Sequence, residues 1–226
     1  MNEMRRWTYP LLALSANSPY YDGRDTGLAS TRAHLLHSMP RTKFAPPFKS
    51  FSELVAYYEK FLAAGDITRP DDLWLIIRPQ PPLGTVGFRI FDIPISVRCI
   101  GAFAALIQAA VDTYQDKFFE GLPASELHSG YLEENWWKAM RYGLNAKIIE
   151  PETGEITTIS EQLRRLIELT APKAKDLHAK HHLDFAETII ENGSESNLQR
   201  VLYKGLNGDL RALEKELARR TLDFSE

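Results

Sequence analysis

The sequence has very little cysteine: Cys99 is the single cysteine in 226 residues. An internal disulfide is therefore excluded, and the chain suits a reducing compartment, so we expect a cytoplasmic protein with a buried, unreactive thiol. Its longest apolar run, Cys99–Val111, is shorter than the roughly 20 apolar residues of a membrane-spanning helix. The segment Met1–Arg6 is charged and lacks the apolar core of a signal peptide. We therefore expect no membrane association and no export.

The charges are balanced, with 27 basic against 30 acidic residues and a formal net charge of -3. No broad basic field would attract nucleic acid, so we expect no nucleic-acid partner and only local anion binding. The phosphate loop, the dinucleotide-binding glycine motif, the serine elbow and the zinc-protease helix are all absent. The histidines His178, His181 and His182 lack a cysteine or a second ligand pair, so a solvated turn is favoured over a metal site there.

Local patterning predicts a single domain, 1–226, that is mostly helical. Two helices are predicted first, at Leu28–Met39 and from the capping box of Ser50 and Glu53 to Gly65. A third, long helix is predicted from a stripe of Ile100, Phe103, Ile107, Val111, Tyr114 and Phe118, which we expect to be buried against a sheet. Further helices are predicted at Tyr131–Arg141, after the caps Thr158 and Glu161, and at Leu210–Leu217.

Two strands are predicted in the first half of the chain, at Leu73–Arg78 and Thr85–Asp92, joined by a proline-rich turn. Side chains alternate along a strand, so Val86, Phe88 and Ile90 should face the core while Thr85, Gly87 and Arg89 form a face available for function. A second hairpin, Lys147–Glu150 with Glu155–Thr157, should turn at Gly154.

Arginines recur at structured positions of this same region. Arg24 lies in a glycine-containing loop, Arg32 on the helix that follows, and Arg78 and Arg89 on the two strands. The guanidinium group binds carboxylate and phosphate oxygens through two parallel hydrogen bonds and stays charged, which suits an amino-acid carboxylate and nucleotide phosphates. The alternative is an ordinary surface arginine or an internal ion pair, for instance with Asp92 or Asp25.

The order of these residues resembles the glutamate-cysteine ligase type 2 family of carboxylate-amine ligases. The resemblance is close over Leu11–Pro94, through Ser15–Arg32, Pro40–Thr42, Ile77–Pro79 and Gly84–Asp92, and it continues more weakly through Glu134–Leu144 and Gln199–Leu210. It implies an α+β fold with a glutamine synthetase-like partial antiparallel sheet and a mostly helical C-terminal half. It also implies that the chain is the C-terminal portion of a catalytic domain.

Members of that family join a carboxylate, usually that of glutamate, to an amine such as cysteine through an acyl phosphate made from ATP, with Mg²⁺ as cofactor. The candidates for substrate or phosphate binding are Asn17, Ser18, Arg24, Arg32 and Arg78. By resemblance, Asn17 and Ser18 shape the wall of the basin, Arg32 and Arg78 contact carboxylate or phosphates, and Arg89 faces the transferred phosphoryl group as the catalytic residue. Asp92 is expected to orient an arginine rather than bind metal.

Two departures from the family pattern bear on activity. Family members carry an N-terminal half with a Gly-x-Glu-x-Glu strand and a histidine-containing strand that supply most metal ligands, and this chain begins after both. In addition, Gly87 occupies the position of a magnesium-binding glutamate. The chain is thus expected to act with a separately encoded N-terminal half, as one subunit of a split enzyme, or as a homo-oligomer. The alternatives are a non-catalytic anion- or nucleotide-binding relic, and an incomplete product that aggregates.

Overall fold

The computed structural model describes residues 1–222, apart from the side chain of residue 82, so residues 223–226 of the predicted domain lie outside it. Helices dominate this part of the chain. They are α1 (Thr8–Ser15), α2 (Thr31–Ser38), α3 (Phe51–Ala63), α4 (Val97–Phe119), α5 (Ser129–Tyr142), α6 (Ile159–Asp176), α7 (Lys180–Asn192), α8 (Glu195–Gly205) and α9 (Leu210–Thr221). Short 3-10 turns precede α1 and interrupt several connections.

The strands of the described residues form three separate antiparallel ribbons of two strands each. The pairs are β1 (Tyr20–Tyr21) with β2 (Arg24–Asp25), β3 (Ile77–Gln80) with β4 (Thr85–Phe88), and β5 (Lys147–Ile149) with β6 (Ile156–Thr158). The predicted α+β class, with antiparallel strands and a mostly helical C-terminal half, is confirmed. The turn of the third ribbon is at Gly154, which has the predicted positive φ of 77°.

The strand predicted at Leu73–Arg78 begins later, at Ile77, because the segment before it pairs elsewhere. The amide of Trp74 donates to the carbonyl of Arg41, and the amide of Ile76 donates to that of Lys43. Leu73 and Leu75 are fully buried in a small apolar cluster under α3. Trp74, between them, is therefore directed outward and is 43% exposed.

The second strand was predicted to run to Asp92 and ends at Phe88. One further ladder bond, from the amide of Arg89 to the carbonyl of Ile76 at 2.8 Å, continues the ribbon beyond that end. The chain then leaves β3, and Ile90 packs into the main core while Asp92 turns to a different set of partners. The strand ends because its hydrogen bonds to β3 end.

Helix α2 starts three residues later than the predicted Leu28, because the preceding residues are held by α5. The amides of Ala29 and Ser30 both donate to the carbonyl of Met140, and the Ser30 hydroxyl caps the helix by accepting from Ala33. The two capping residues that were predicted elsewhere, Ser50 and Thr158, accept the amides three residues on.

Helix α4 is the centre of the helical half and packs against α6 and α7 rather than against a sheet. The predicted stripe is wrong at two of its members, because Ile100 and Phe118 are 52% and 74% exposed. The buried face carries mostly small residues: Cys99, Ala102, Phe103, Ala105, Leu106, Ala109 and Ala110. Alanines let two neighbouring helices approach closely, and that contact outweighs the larger side chains on the opposite face.

By length and hydropathy alone, Val97–Phe119 is also the one helix of the described residues that could cross a membrane. Here its alanine-rich face lies in the core between α6 and α7. That packing accounts for the small apolar residues of its buried face.

Replacing Leu106, which is fully buried on α4, tests this packing. We expect Leu106→Ala to lower the free energy of unfolding by about 2–5 kcal/mol, because it removes buried methyl groups and leaves a cavity between three helices. Urea unfolding followed by circular dichroism measures the loss. Leu122→Ala, at a half-exposed position, is the matched control and should change stability by less than about 0.5 kcal/mol. Equal effects of the two changes would contradict the assigned core.

Candidate functional site

The Asp92 carboxylate lies at the centre of the region that the sequence singled out, and only 2% of the residue is exposed. It accepts hydrogen bonds from the amide of Asn17 at 2.8 Å and from the hydroxyls of Ser18 and Ser30 at 2.7 and 2.9 Å. These donors come from the loop after α1 and from the cap of α2. A buried carboxylate needs such donors to offset the loss of its hydration. Asp92 thereby joins three segments of chain.

Arg32 extends this network toward the surface. Its amide donates to the Ser18 hydroxyl at 3.0 Å, and its Nη1 donates to the carbonyl of Ile90 at 3.2 Å. The same nitrogen lies 3.5 Å from an Asp92 oxygen, so Asp92 orients an arginine as predicted. The Arg32 side chain remains 37% exposed. Part of its guanidinium is therefore accessible to a ligand.

Arg89 is held against Trp74, beside the ribbon of β3 and β4. Its guanidinium carbon lies 4.7 Å from the centre of the indole ring, in cation–π geometry. Partial burial lowers the pKa of Arg89, the neighbouring Arg78 lowers it further, and Asp71 opposes both. The positive charge of Arg78 therefore acts on the guanidinium of Arg89, with Asp71 opposing it.

Arg78, which was predicted to contact a substrate carboxylate or phosphates, is bound to a partner within the chain. Its side chain is almost fully buried, its Nη1 donates to the Asp71 carbonyl at 2.9 Å, and its Nη2 lies 3.2 Å from the Asp71 carboxylate. The Nε atom is buried without a hydrogen-bond partner. The alternative of an internal ion pair therefore applies to Arg78, and its carboxylate partner is Asp71.

Gly87 lies directly opposite Arg78 in the register of the ribbon, on the face that also carries Arg89. Its φ is not positive, so the backbone does not require glycine there. A Cβ at this position would lie 2.8 Å from the amide nitrogen of Gln80, which is the mobile end of a long side chain. A side chain is therefore missing here without any structural need for its absence.

Every polar group of Asn17 forms a hydrogen bond within the chain. Its amide nitrogen Nδ2 donates to the carbonyl of Ile93 at 2.7 Å. Gln199, on α8, donates to the Asn17 side-chain oxygen at 2.6 Å and to its main-chain carbonyl at 2.8 Å. Sequence analysis assigned no specific role to Gln199. Its partner is 182 residues away, and no local pattern reports such a pairing.

Arg24 lies on the exposed hairpin of β1 and β2. That hairpin packs near α8 and α9, where the rings of Tyr20 and Tyr203 are 5.0 Å apart. The neighbouring Asp25 forms a two-pronged ion pair with Arg200, at 2.9 and 2.8 Å. Hydrogen bonding to Arg200 lowers the pKa of Asp25. The carboxylate of Asp25 is thus paired with Arg200, which the sequence analysis did not single out, rather than with one of the four candidate arginines.

Gly27 has a positive φ of 73°, a backbone conformation that favours glycine. A Cβ there would also lie 2.5 Å from a guanidinium nitrogen of Arg141. Arg141, at the end of α5, thus lies over the loop and adds a positive charge near Asp25. The sequence did not single out Arg141 either.

Within residues 1–222, no group of three or more His, Cys, Asp or Glu side chains is arranged to hold a metal ion. His181 and His182 stack at 3.9 Å between ring centres, and His182 lies against Gly101 of α4. Cys99 is buried, and burial raises the pKa of its thiol to about 12, so it is protonated at neutral pH. Among the predicted arginines whose side chains are held by other residues, Arg32 and Arg89 have the guanidinium groups that are least occupied by carboxylates, which suits them chemically to bind anions.

Comparison with known proteins gives one family match. The model of glutamate-cysteine ligase family 2 matches residues 1–215. Similar relatives, each provisionally named glutamate–cysteine ligase 2 or 2-1, come from Frankia alni (34% identical over 93% of this chain and 55% of the relative), Thermobifida fusca (33%, 90% and 51%) and Corynebacterium efficiens (36%, 87% and 52%). The chain thus spans about half the length of the curated relatives it matches.

Substitution of Asp92 tests the centre of the network. We expect Asp92→Asn to lower the free energy of unfolding by about 1–3 kcal/mol. The oxygen of the asparagine amide can accept hydrogen bonds but its nitrogen cannot, so at least one buried donor loses its acceptor. Urea unfolding measures the change. Asp66→Asn, on an exposed turn, is the control and should have almost no effect. A fully stable Asp92→Asn protein would show that the carboxylate does not hold these segments together.

Proposed function

This chain belongs to glutamate-cysteine ligase family 2, and on that premise we propose that it takes part in the ATP-dependent joining of a carboxylate, such as that of glutamate, to an amine, such as that of cysteine. The observation that carries the proposal is the placement of two partly accessible guanidinium groups, those of Arg32 and Arg89, near the same stretch of chain after β4. Both are held by other residues, so their positions are set before a ligand arrives.

The reaction requires positive groups at defined places. In the first step a carboxylate oxygen attacks the terminal phosphorus of ATP, the bond from that phosphorus to the ADP oxygen breaks, and an acyl phosphate forms. In the second step the amine nitrogen attacks the acyl carbon, the bond from that carbon to the phosphate oxygen breaks, and the proton lost by the nitrogen is taken up by the released phosphate. Negative charge gathers on phosphoryl oxygens in the first step, where a fixed guanidinium stabilises it.

We assign the individual roles from exposure and partners. Arg89, held on Trp74, faces the transferred phosphoryl group, and Arg32 binds the substrate carboxylate. Asn17 and Ser18 have a structural role, because Asn17 binds the carbonyl of Ile93 and Ser18 binds the carboxylate of Asp92. Arg78 contributes charge to the neighbourhood of Arg89 while its own nitrogens bind Asp71. The contribution of Arg24 stays a prediction.

Magnesium does not fit the described residues as they stand. Gly87 supplies no ligand, the Asp92 oxygens already accept from three donors, and residues 1–222 hold no cluster of metal-binding side chains. Mg²⁺ needs near-octahedral oxygen ligands, at least some of them carboxylates. In the proposed enzyme these carboxylates come from a second polypeptide, which corresponds to the part of the longer relatives that this chain does not cover. We place the assembly in the cytoplasm, because the single thiol suits a reducing compartment.

Release of ADP tests the proposal. The chain is mixed with the part of the Thermobifida fusca relative that lies outside the aligned region, together with ATP, Mg²⁺, glutamate and cysteine. We expect ADP to form only when both polypeptides are present. Arg89→Ala should lower the rate about 100-fold, because it removes a fixed charge from the phosphoryl oxygens. Arg211→Ala, on the exposed face of α9, is the control and should not change the rate. Absence of ADP with both polypeptides contradicts the proposal.

Gly87 favours a second candidate function, that of a non-catalytic module that binds anions or nucleotides. Calorimetry of the chain with ATP, in the presence and absence of Mg²⁺, separates the two. A binding module should bind ATP weakly and equally in both conditions. A ligase that lacks only one ligand should gain Mg²⁺-dependent ATP binding in Gly87→Glu, because a carboxylate is then added beside Arg89.

Gly87→Ala is the control for that comparison, since it adds the same Cβ without the carboxylate. Both variants should fold normally, because the added Cβ meets only the flexible end of Gln80. Thermal unfolding checks this point. Unchanged, Mg²⁺-independent ATP binding in Gly87→Glu would favour the non-catalytic module.

A further inference from the structure

We propose that Arg141, at the end of α5, binds the α-carboxylate of an amino-acid substrate, and that the ion pair of Arg200 with Asp25 keeps Arg141 free for this role. The inference rests on the proposed function and deepens it, because it adds a residue and a ligand group to that site. Three observations carry it: a guanidinium without a carboxylate partner, a loop that leaves room for it, and a neighbouring carboxylate that is already occupied.

The positive charge of Arg141 is not neutralised within the chain. Its guanidinium forms no hydrogen bond or ion pair with another residue of the described part, 1–222. The guanidinium carbon lies 5.7 Å from the centre of the Tyr142 ring, a contact that stabilises a cation and leaves its charge in place. The residue is partly exposed, so a ligand in solvent can reach it.

The position of Arg141 is fixed by the loop before α2. The carbonyl of Met140 accepts from the amides of Ala29 and Ser30, at 2.7 and 3.1 Å. In the same loop Gly27 has no side chain, and a Cβ there would lie 2.5 Å from Nη1 of Arg141. The glycine thus makes room for the guanidinium, which is held over the loop before a ligand arrives.

The surface beside Arg141 is open. Trp137 precedes Arg141 by four residues on the same face of α5, and it is 42% exposed. Its ring meets that of His34 edge-on, with 6.4 Å between the ring centres. Tyr142 is exposed as well. A small ligand can therefore lie against these rings and reach the guanidinium.

The loop also connects Arg141 to Arg32. Ser30, whose amide binds Met140, donates its hydroxyl to Asp92, and Asp92 orients Arg32. Main-chain dimensions along this path place the Cα atoms of Arg141 and Arg32 no more than about 15 Å apart. Two long side chains over that distance can reach the two ends of one small ligand.

The proposed substrates leave a carboxylate that needs such a cation. Glutamate carries two carboxylates, and the reaction consumes one of them, which is assigned to Arg32. Cysteine keeps its single carboxylate throughout. The group that the two amino acids share is the α-carboxylate, which matches the fork of a guanidinium through two parallel hydrogen bonds. Arg141 is the arginine of this region that remains available for it.

Asp25 is the carboxylate that could neutralise Arg141, and Arg200 occupies it. Both Asp25 oxygens accept from Arg200, at 2.9 and 2.8 Å, and one of them also accepts from the amide of Gly27. Hydrogen bonding to Arg200 lowers the pKa of Asp25 most, and the charge of Arg141 lowers it least. The ion pair thus leaves Arg141 without a carboxylate partner.

NMR titration of the whole chain with glutamate tests the binding role. We expect the signals of the Arg141 Nε–H and the Gly27 amide to shift. Arg141→Ala should weaken glutamate binding at least tenfold, because charge-assisted hydrogen bonds are lost. Isoglutamine, in which an amide replaces the α-carboxylate, should bind the unchanged chain and Arg141→Ala with equal affinity. Arg165→Ala, at an exposed position of α6, is the control and should bind glutamate as the unchanged chain does.

A rescue experiment tests the role of the ion pair. Arg200→Ala should weaken glutamate binding about tenfold, because the carboxylate of Asp25 can then pair with Arg141. Adding Asp25→Asn to Arg200→Ala should restore the affinity to within about twofold, because the amide carries no charge. A purely structural role of Arg200 predicts no rescue, since its bond to the carbonyl of Leu28 is missing from both variants. Thermal unfolding checks that each variant is folded.

Three results would overturn the inference: no shift of the Arg141 signal at tens of millimolar glutamate, equal glutamate affinity in Arg141→Ala, or no rescue by Asp25→Asn. A fourth is an effect of Arg141→Ala on the affinity for ATP and not on that for glutamate, which would assign the residue to phosphates. Glutamate binding that depends on Arg141, without ADP release in the mixture of two polypeptides, supports the carboxylate site and contradicts the ligase proposal. ADP release that Arg141→Ala leaves unchanged at every glutamate concentration does the reverse.

Discussion

The buried carboxylate of Asp92 is the interaction on which the arginine-bearing region depends. It binds the loop after α1 and the cap of α2 to the segment that leaves β4, and it also orients Arg32. A charge in the interior is tolerated only where enough donors replace its water. Those donors come from two segments that are distant in sequence from Asp92, so the geometry of the whole region depends on this one carboxylate.

The arginines divide according to the partners they already have. Arg78 and Arg200 are bound to carboxylates of this chain, and they stabilise the framework. Arg32 and Arg89 are only partly satisfied, the one by a carbonyl and a long contact to Asp92, the other by an indole ring. A guanidinium that is held in place but not neutralised is well suited to bind an anionic ligand, because little ordering remains to be done on binding.

The sequence by itself determined the features that depend on local spacing: the helix caps at Ser50 and Thr158, the two hairpins, the α+β class and the family. Tertiary structure decided the rest. It chose the alanine face of α4 for the core, shortened the strands, and paired Gln199 with Asn17 across 182 residues. Local sequence patterns depend on interactions between residues that are near each other along the chain. Contacts between distant segments form only when the chain folds, so the spacing of residues does not predict them.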